Sequence, residues 1–111
     1  MADLLFVGHM VGAARRVVDL VGRTDVESFV ADWVVQDALM RELGVMGEAA
    51  GRVSRSLTDA HPEIPWREIT GIRHKLIHDY FEVDLDVVWR TATVNVPAVL
   101  ADLEAVLGSL E

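Results

Sequence analysis

The chain contains no cysteine, which excludes disulfide staples and thiolate metal sites. No uncharged run approaches the ~20 residues that a membrane span requires. The apolar start, residues 1–12, carries Asp3 and no basic leader, so it does not read as a signal peptide. A cytoplasmic address, with no membrane involvement, is the expectation left by elimination. Basic residues are scarce, 10 Lys and Arg against 18 Asp and Glu for a formal charge of −8, whereas a general nucleic-acid binder shows a basic surface. No segment alternates like a half-buried strand, and none is repeated or low in complexity. A phosphate-cradling glycine loop is also missing.

What is present suits one helical domain. At 111 residues, 51% of them hydrophobic, residues 1–111 have room for one core, and some apolar surface is left for a partner to cover. The acidity is unevenly placed. Between Arg41 and His78 six bases nearly balance five acids, while Asp79 to Glu111 holds seven acids and one base, Arg90. The near-neutral middle therefore leaves room for a local anion site.

Apolar residues recur at steps of three and four. Leu4, Val7, Val11, Ala14, Val18 and Val21 predict a helix over about Ala2 to Val21. Gly22 to Asp25 breaks it, with Thr24 or Asp25 available as a cap. A longer helical region is expected from about Val26 to Leu57, bent near Ala31, with Leu39, Leu43, Met46, Ala50, Val53 and Leu57 as its stripe. Thr58 to Ile64 reads as a loop closed by Pro65, a suitable first helical residue. The next helix turns Ile69, Ile72 and Leu76 inward. After an irregular stretch from Tyr80 to Asp84, Asp84 or Asp86 can cap a last helical region carrying Val88, Ala92, Val96, Val99, Leu103, Val106 and Leu110. Pro97 lies inside that region, so a kink or break is expected there. The fold class is all-α, an antiparallel bundle of four or five helices. Gly44, Gly47 and Gly51 fall on one side of the long helix. Each costs about 1 kcal/mol relative to alanine, so either another helix approaches closely there or the helix tolerates them.

The chemistry concentrates between Arg73 and Tyr80, where an arginine, a lysine, two histidines, an aspartate and a tyrosine share eight positions. Such a mixture is costly to bury unpaired. Arginine offers a planar, permanently charged fork for phosphoryl oxygens, and histidine exchanges protons near neutrality. Arg73 and His78 are five apart, about 140° apart around an ideal helix. Either the helix ends before His78 or a second copy of the chain completes the site, as a two-fold homodimer would.

Arg73, four intervening residues, then His78-Asp79-Tyr80 resembles the signature of the HEPN superfamily, in particular its HepT-like toxins. His74 matches the polar position that often follows the arginine, and Tyr80 the tyrosine two after the histidine. Phe29 with Gln36-Asp37-Ala38, Gly47-Glu48-Ala49, His61-Pro62-Glu63-Ile64-Pro65-Trp66 and Val83-Asp84-Leu85-Asp86-Val87-Val88-Trp89 resemble the flanking blocks of that group.

The resemblance implies a HEPN-like, homodimeric helical bundle acting as a metal-independent endoribonuclease without a cofactor. A ribose 2′-hydroxyl attacks the adjacent phosphate, with Arg73 and His78 catalytic and His74 supporting. It further implies a type VII-like toxin–antitoxin pair with an MntA-like minimal nucleotidyltransferase antitoxin that attaches AMP to Tyr80. Arg73 and Lys75 would hold the added phosphate.

Plainer readings stand beside these. Arg73 can pair with Glu68 or Asp79 on the surface. His74 and His78, four apart, also have metal-ligand spacing. His9 fits a core or interface position, His61 a turn, and Trp33, Trp66 and Trp89 core or interface anchors. Two other function classes follow: a non-catalytic helical module binding nucleotide or a nucleotidyltransferase, and a metal-binding helical dimer.

Overall fold

The computed structural model describes residues 2–77 and 82–111. Helix α1, Ala2–Val21, is the central element. Its buried side chains are Val7, Met10, Val11, Ala13, Ala14 and Val17. Val7, Val11 and Ala14 of the expected stripe are buried, and Met10, Ala13 and Val17 are buried beyond it because α1 packs on two neighbours, α3 and α8. After the turn, Asp25 caps α2, Val26–Ala31, by accepting from the Ser28 amide at 2.8 Å.

The bend expected near Ala31 is a full break. Asp32 is extended, and its carboxylate accepts from the Val34 and Val35 amides to start α3, Trp33–Ala50. Gln36 spans the break, donating from Nε2 to the carbonyls of Phe29 and Val30. The long helix does not continue to Leu57. It stops at Gly51, and Ser54 caps a separate short helix, α4, Arg55–Ala60. Thr58 to Ala60 are therefore helical, where a loop was expected. The reason lies in Ser54, whose hydroxyl receives the Leu57 amide while also donating to Asp3 of α1.

Contacts along the helices set their directions. Asp3 meets Ser54 and Arg16 meets Glu42, so α1 and α3 run antiparallel. The last element is a continuous helical run of 26 residues, Leu85–Leu110, made of α7 (Leu85–Arg90), a π-helical turn (Thr91–Asn95) and α8 (Val96–Leu110). Arg15 pairs with Glu104 at 2.7 Å, and Gly8 lies near Leu107, so α8 is antiparallel to α1 as well. By length and composition this run could cross a membrane. Here, however, Val88, Ala92, Val96, Leu103 and Val106 are buried in the bundle core. Pro97 produces no break. The preceding π turn, in which the Val96 amide reaches the Thr91 carbonyl, lets the chain pass a residue that has no N–H to donate.

Between these long elements lie α5, Trp66–Thr70, and α6, Ile72–Leu76, separated at Gly71. Pro65 precedes α5 as its cap residue. Ile69, Ile72 and Leu76 face the core, as their spacing predicts. Among the described residues there is no strand, only an isolated antiparallel bridge between Ile77 and Val83. The fold is an all-α helical bundle.

Candidate active site

Arg73 projects from α6, and the placement of α6 depends on a residue with no side chain. A Cβ on Gly47 of α3 would lie 3.0 Å from the Ile69 carbonyl oxygen and 3.0 Å from Ile72 Cγ2. Close approach, the first of the two readings of the glycines, therefore holds at Gly47. It does not hold at Gly44, where a Cβ would meet nothing within 4 Å, and at Gly51 it would meet only ordinary contacts.

Other parts of the flanking blocks also serve the scaffold. Trp66 donates from Nε1 to the His61 carbonyl at 2.9 Å, and this closes the turn before α5. The His61 ring contacts Glu63 at 3.2 Å and acts as a turn residue. The Glu63 carboxyl is held below its usual range, chiefly by a backbone hydrogen bond and then by His61. Trp89 stacks at a tilt on the fully buried Phe29, centroids 5.1 Å apart. Asp84 caps α7 by accepting from the Val87 amide. Trp33 is not a core anchor, being 70% exposed, which leaves the interface reading for it.

Helix α6 ends at Leu76, and Ile77 is extended. The chain therefore leaves the helix before His78, the first of the two alternatives. His78, Asp79 and Tyr80 lie outside the described residues. No group of three or more candidate metal ligands occurs among those that are described.

Arg73 is exposed and borders a groove of about 890 Å³, formed chiefly by α1, α3 and α6. Phe6 and His9 from α1 line it, as do Asp37, Arg41 and Glu48 from α3 and Arg52 from the turn that follows α3. His9 is exposed at this groove rather than buried in the core. Two of its arginines are engaged, Arg41 with Glu42 and Arg52 with Glu48, both at 3.0 Å. Arg73 pairs with no carboxylate among the described residues, so the surface pairing with Glu68 is not formed. A smaller recess of about 230 Å³, lined by Gly47, Gly51 and Thr70, also borders Arg73 and shares Glu48 and Arg52 with the groove. His74 is exposed and is not among the side chains lining either cavity. Lys75 borders a different, mostly apolar groove beside α8. One ligand at Arg73 is thus not shared with Lys75, as two steps along a helix turn through about 200°.

The involvement of Phe6 and His9 was missed in the sequence. Their only signal is two ring side chains three apart on α1, and nothing local links them to a motif some 60 residues later.

The family described as "Ribonuclease HepT-like" matches residues 10–106. A protein of Thermococcus cleftensis named "Probable ribonuclease HepT" is 41% identical over 78 residues, covering 70% of this chain and 71% of its own. "Putative RNase MJ0125" of Methanocaldococcus jannaschii is 34% identical over 95 residues, covering 86% of this chain and 82% of its own. "Putative RNase TTE0752" of Caldanaerobacter subterraneus is 30% identical over 102 residues, covering 92% and 91%. No solved structure matches.

Proposed function

The chain belongs to the HepT-like ribonuclease family, and from that premise we propose that it is a metal-independent endoribonuclease acting as the toxin of a type VII-like toxin–antitoxin pair in the cytoplasm. The observation that carries the reading is Arg73: exposed, unengaged by any described carboxylate and set at the edge of the groove between α1, α3 and α6.

The reaction needs no group beyond the chain and the RNA. The ribose 2′-oxygen forms a bond to the adjacent phosphorus while the bond to the 5′-oxygen breaks, leaving a 2′,3′-cyclic phosphate. The 2′-hydroxyl gives up a proton and the departing 5′-oxygen receives one. His78 carries these transfers, and Arg73 neutralises the charge that builds on the phosphorane oxygens, commonly the largest catalytic contribution. His74 assists from the solvent side of α6.

Control is by modification. An MntA-like minimal nucleotidyltransferase transfers AMP from ATP to the Tyr80 hydroxyl, forming the bond to the α-phosphorus as pyrophosphate and the phenolic proton leave, and the added phosphodiester and adenosine occupy the site near Arg73. The active form is a homodimer. Its support is an apolar patch of Val26, Val30, Trp33 and Val34, each 46% to 70% exposed.

Cleavage of RNA by the purified protein in EDTA, lost in Arg73→Ala and in His78→Ala, is the expected result. Full activity in a folded His78→Ala protein would overturn the mechanism. Mass spectrometry after incubation with the cognate nucleotidyltransferase and ATP should show AMP on the wild type and none on Tyr80→Phe. Equal labelling of both would sink the proposed switch.

A further inference from the structure

The groove beside Arg73 carries a feature that phosphate chemistry does not require. Phe6 and His9 occupy successive turns of α1, with ring centroids 6.3 Å apart and planes nearly perpendicular. The Arg52 guanidinium sits 5.9 Å from the Phe6 centroid. That leaves Phe6 half-buried and covered on one side by a cation, with the exposed His9 ring standing edge-on to it. A histidine left exposed in an apolar helix at the mouth of a groove offers a flat face to a flat ligand.

The groove's charges limit how much backbone it can bind. Arg41 and Arg52 are tied to Glu42 and Glu48. Asp37, also lining the groove, repels phosphate. Arg73 is the one groove arginine without an ion pair among the described residues. Among the described residues the site therefore combines a single unpaired arginine with an aromatic surface. That composition fits one phosphate and an adjoining base, and it is unsuited to a long tract of backbone.

We propose that the Phe6–His9 pair is a base-stacking subsite that seats a nucleotide of single-stranded RNA in the groove, next to the phosphate held by Arg73. The inference rests on the ribonuclease reading above and adds to it the substrate class and the residues that position it. Stacking tolerates any base, because every base has a flat face. The subsite thus selects unpaired RNA over duplex without selecting sequence, since a base must leave its helix to reach His9. His9 and Phe6 are binding residues here, remote from the bonds that change.

The test separates binding from turnover. A fluorescein-labelled single-stranded hexamer of 2′-O-methyl RNA cannot be cleaved through its 2′-oxygen, and its anisotropy reports affinity alone. His9→Ala should weaken binding on the order of tenfold, in the range typical of one lost base–aromatic stack. His9→Phe should restore it, which a hydrogen-bonding or proton-carrying role would not allow. Neutralising one phosphate predicts a slope of log K against log salt of about −0.7. With a cleavable hexamer, His9→Ala should raise KM about tenfold and change kcat much less, because stacking acts equally on bound substrate and transition state.

Unchanged affinity in His9→Ala, or failure of His9→Phe to restore it, overturns the subsite even if the wild type cleaves RNA. A wild type that binds with these properties and never cleaves keeps the subsite and removes the ribonuclease. If His9→Ala dissociates a dimer in light scattering while RNA affinity stays the same, a second copy covers the groove and the inference fails.

Discussion

Asp3 holds Ser54 twice, accepting from its amide at 2.8 Å and from its hydroxyl at 2.6 Å. These two bonds hold the Asp3 carboxyl below the usual range, the hydroxyl contributing most. Since the folded group titrates below its unfolded value of about 3.9, the contact contributes fully above that pH and is lost as pH falls through the lower folded value. Asp3→Ala should lower stability by about 1 kcal/mol near neutral pH, the scale of a solvent-screened bond to a charged group. Urea midpoints taken from pH 7 down into the acid range should show the gap between variant and wild type shrinking. Arg73 presents the opposite case. It is exposed and makes no ion pair among the described residues, so Arg73→Ala should change the unfolding free energy by no more than about 0.5 kcal/mol while abolishing cleavage. A marked drop in melting temperature would identify Arg73 as structural.

Among the elements, the contact of α3 with α5 and α6 decides where the motif sits. A methyl at Gly47 has no room, with backbone and side chain both at 3.0 Å. Gly47→Ala should cost about 1–3 kcal/mol, the usual range for overpacking, and should also reduce cleavage by displacing α6. Gly44, one turn earlier on α3, has open space. Gly44→Ala should instead stabilise by up to about 1 kcal/mol through helix propensity. Denaturant melts of the two variants side by side test the assignment, and two changes of the same sign would refute it. The caps show a related division. Asp25, Asp32, Ser54 and Asp84 start four of the helices through their own side chains. These are short-range effects, and Asp25 and Asp84 were readable in advance. Ser54 was passed over because the apolar rhythm runs through it from Ala50 to Leu57, and a periodic pattern continues across a cap when both helices bury the same side; Asp32 sits beside the expected bend but was not read as its cap.

In the whole molecule, a Cα radius of gyration of 13.9 Å is close to the ~13 Å of a compact domain of this length, yet Trp33 and three nearby valines stay exposed. Dimerisation through such a patch predicts twice the chain mass by light scattering at micromolar concentration. A monomer there would remove the dimer from the proposal while leaving the single-chain groove intact. The sequence by itself determined the helical class, the extent of α1, the inward positions of α3, α6 and α8, and the Arg73–His78 motif. All of these follow from a period near 3.6 residues or from side chains close together in the chain. Tertiary structure alone decided which glycine is a contact, that His9 faces a groove instead of the core, that Arg73 and Lys75 serve different grooves, and that Phe6 and Arg73 line the same one. Those facts depend on how helices far apart in sequence rotate against one another, and a helix's own periodicity does not specify which neighbour covers each part of its surface.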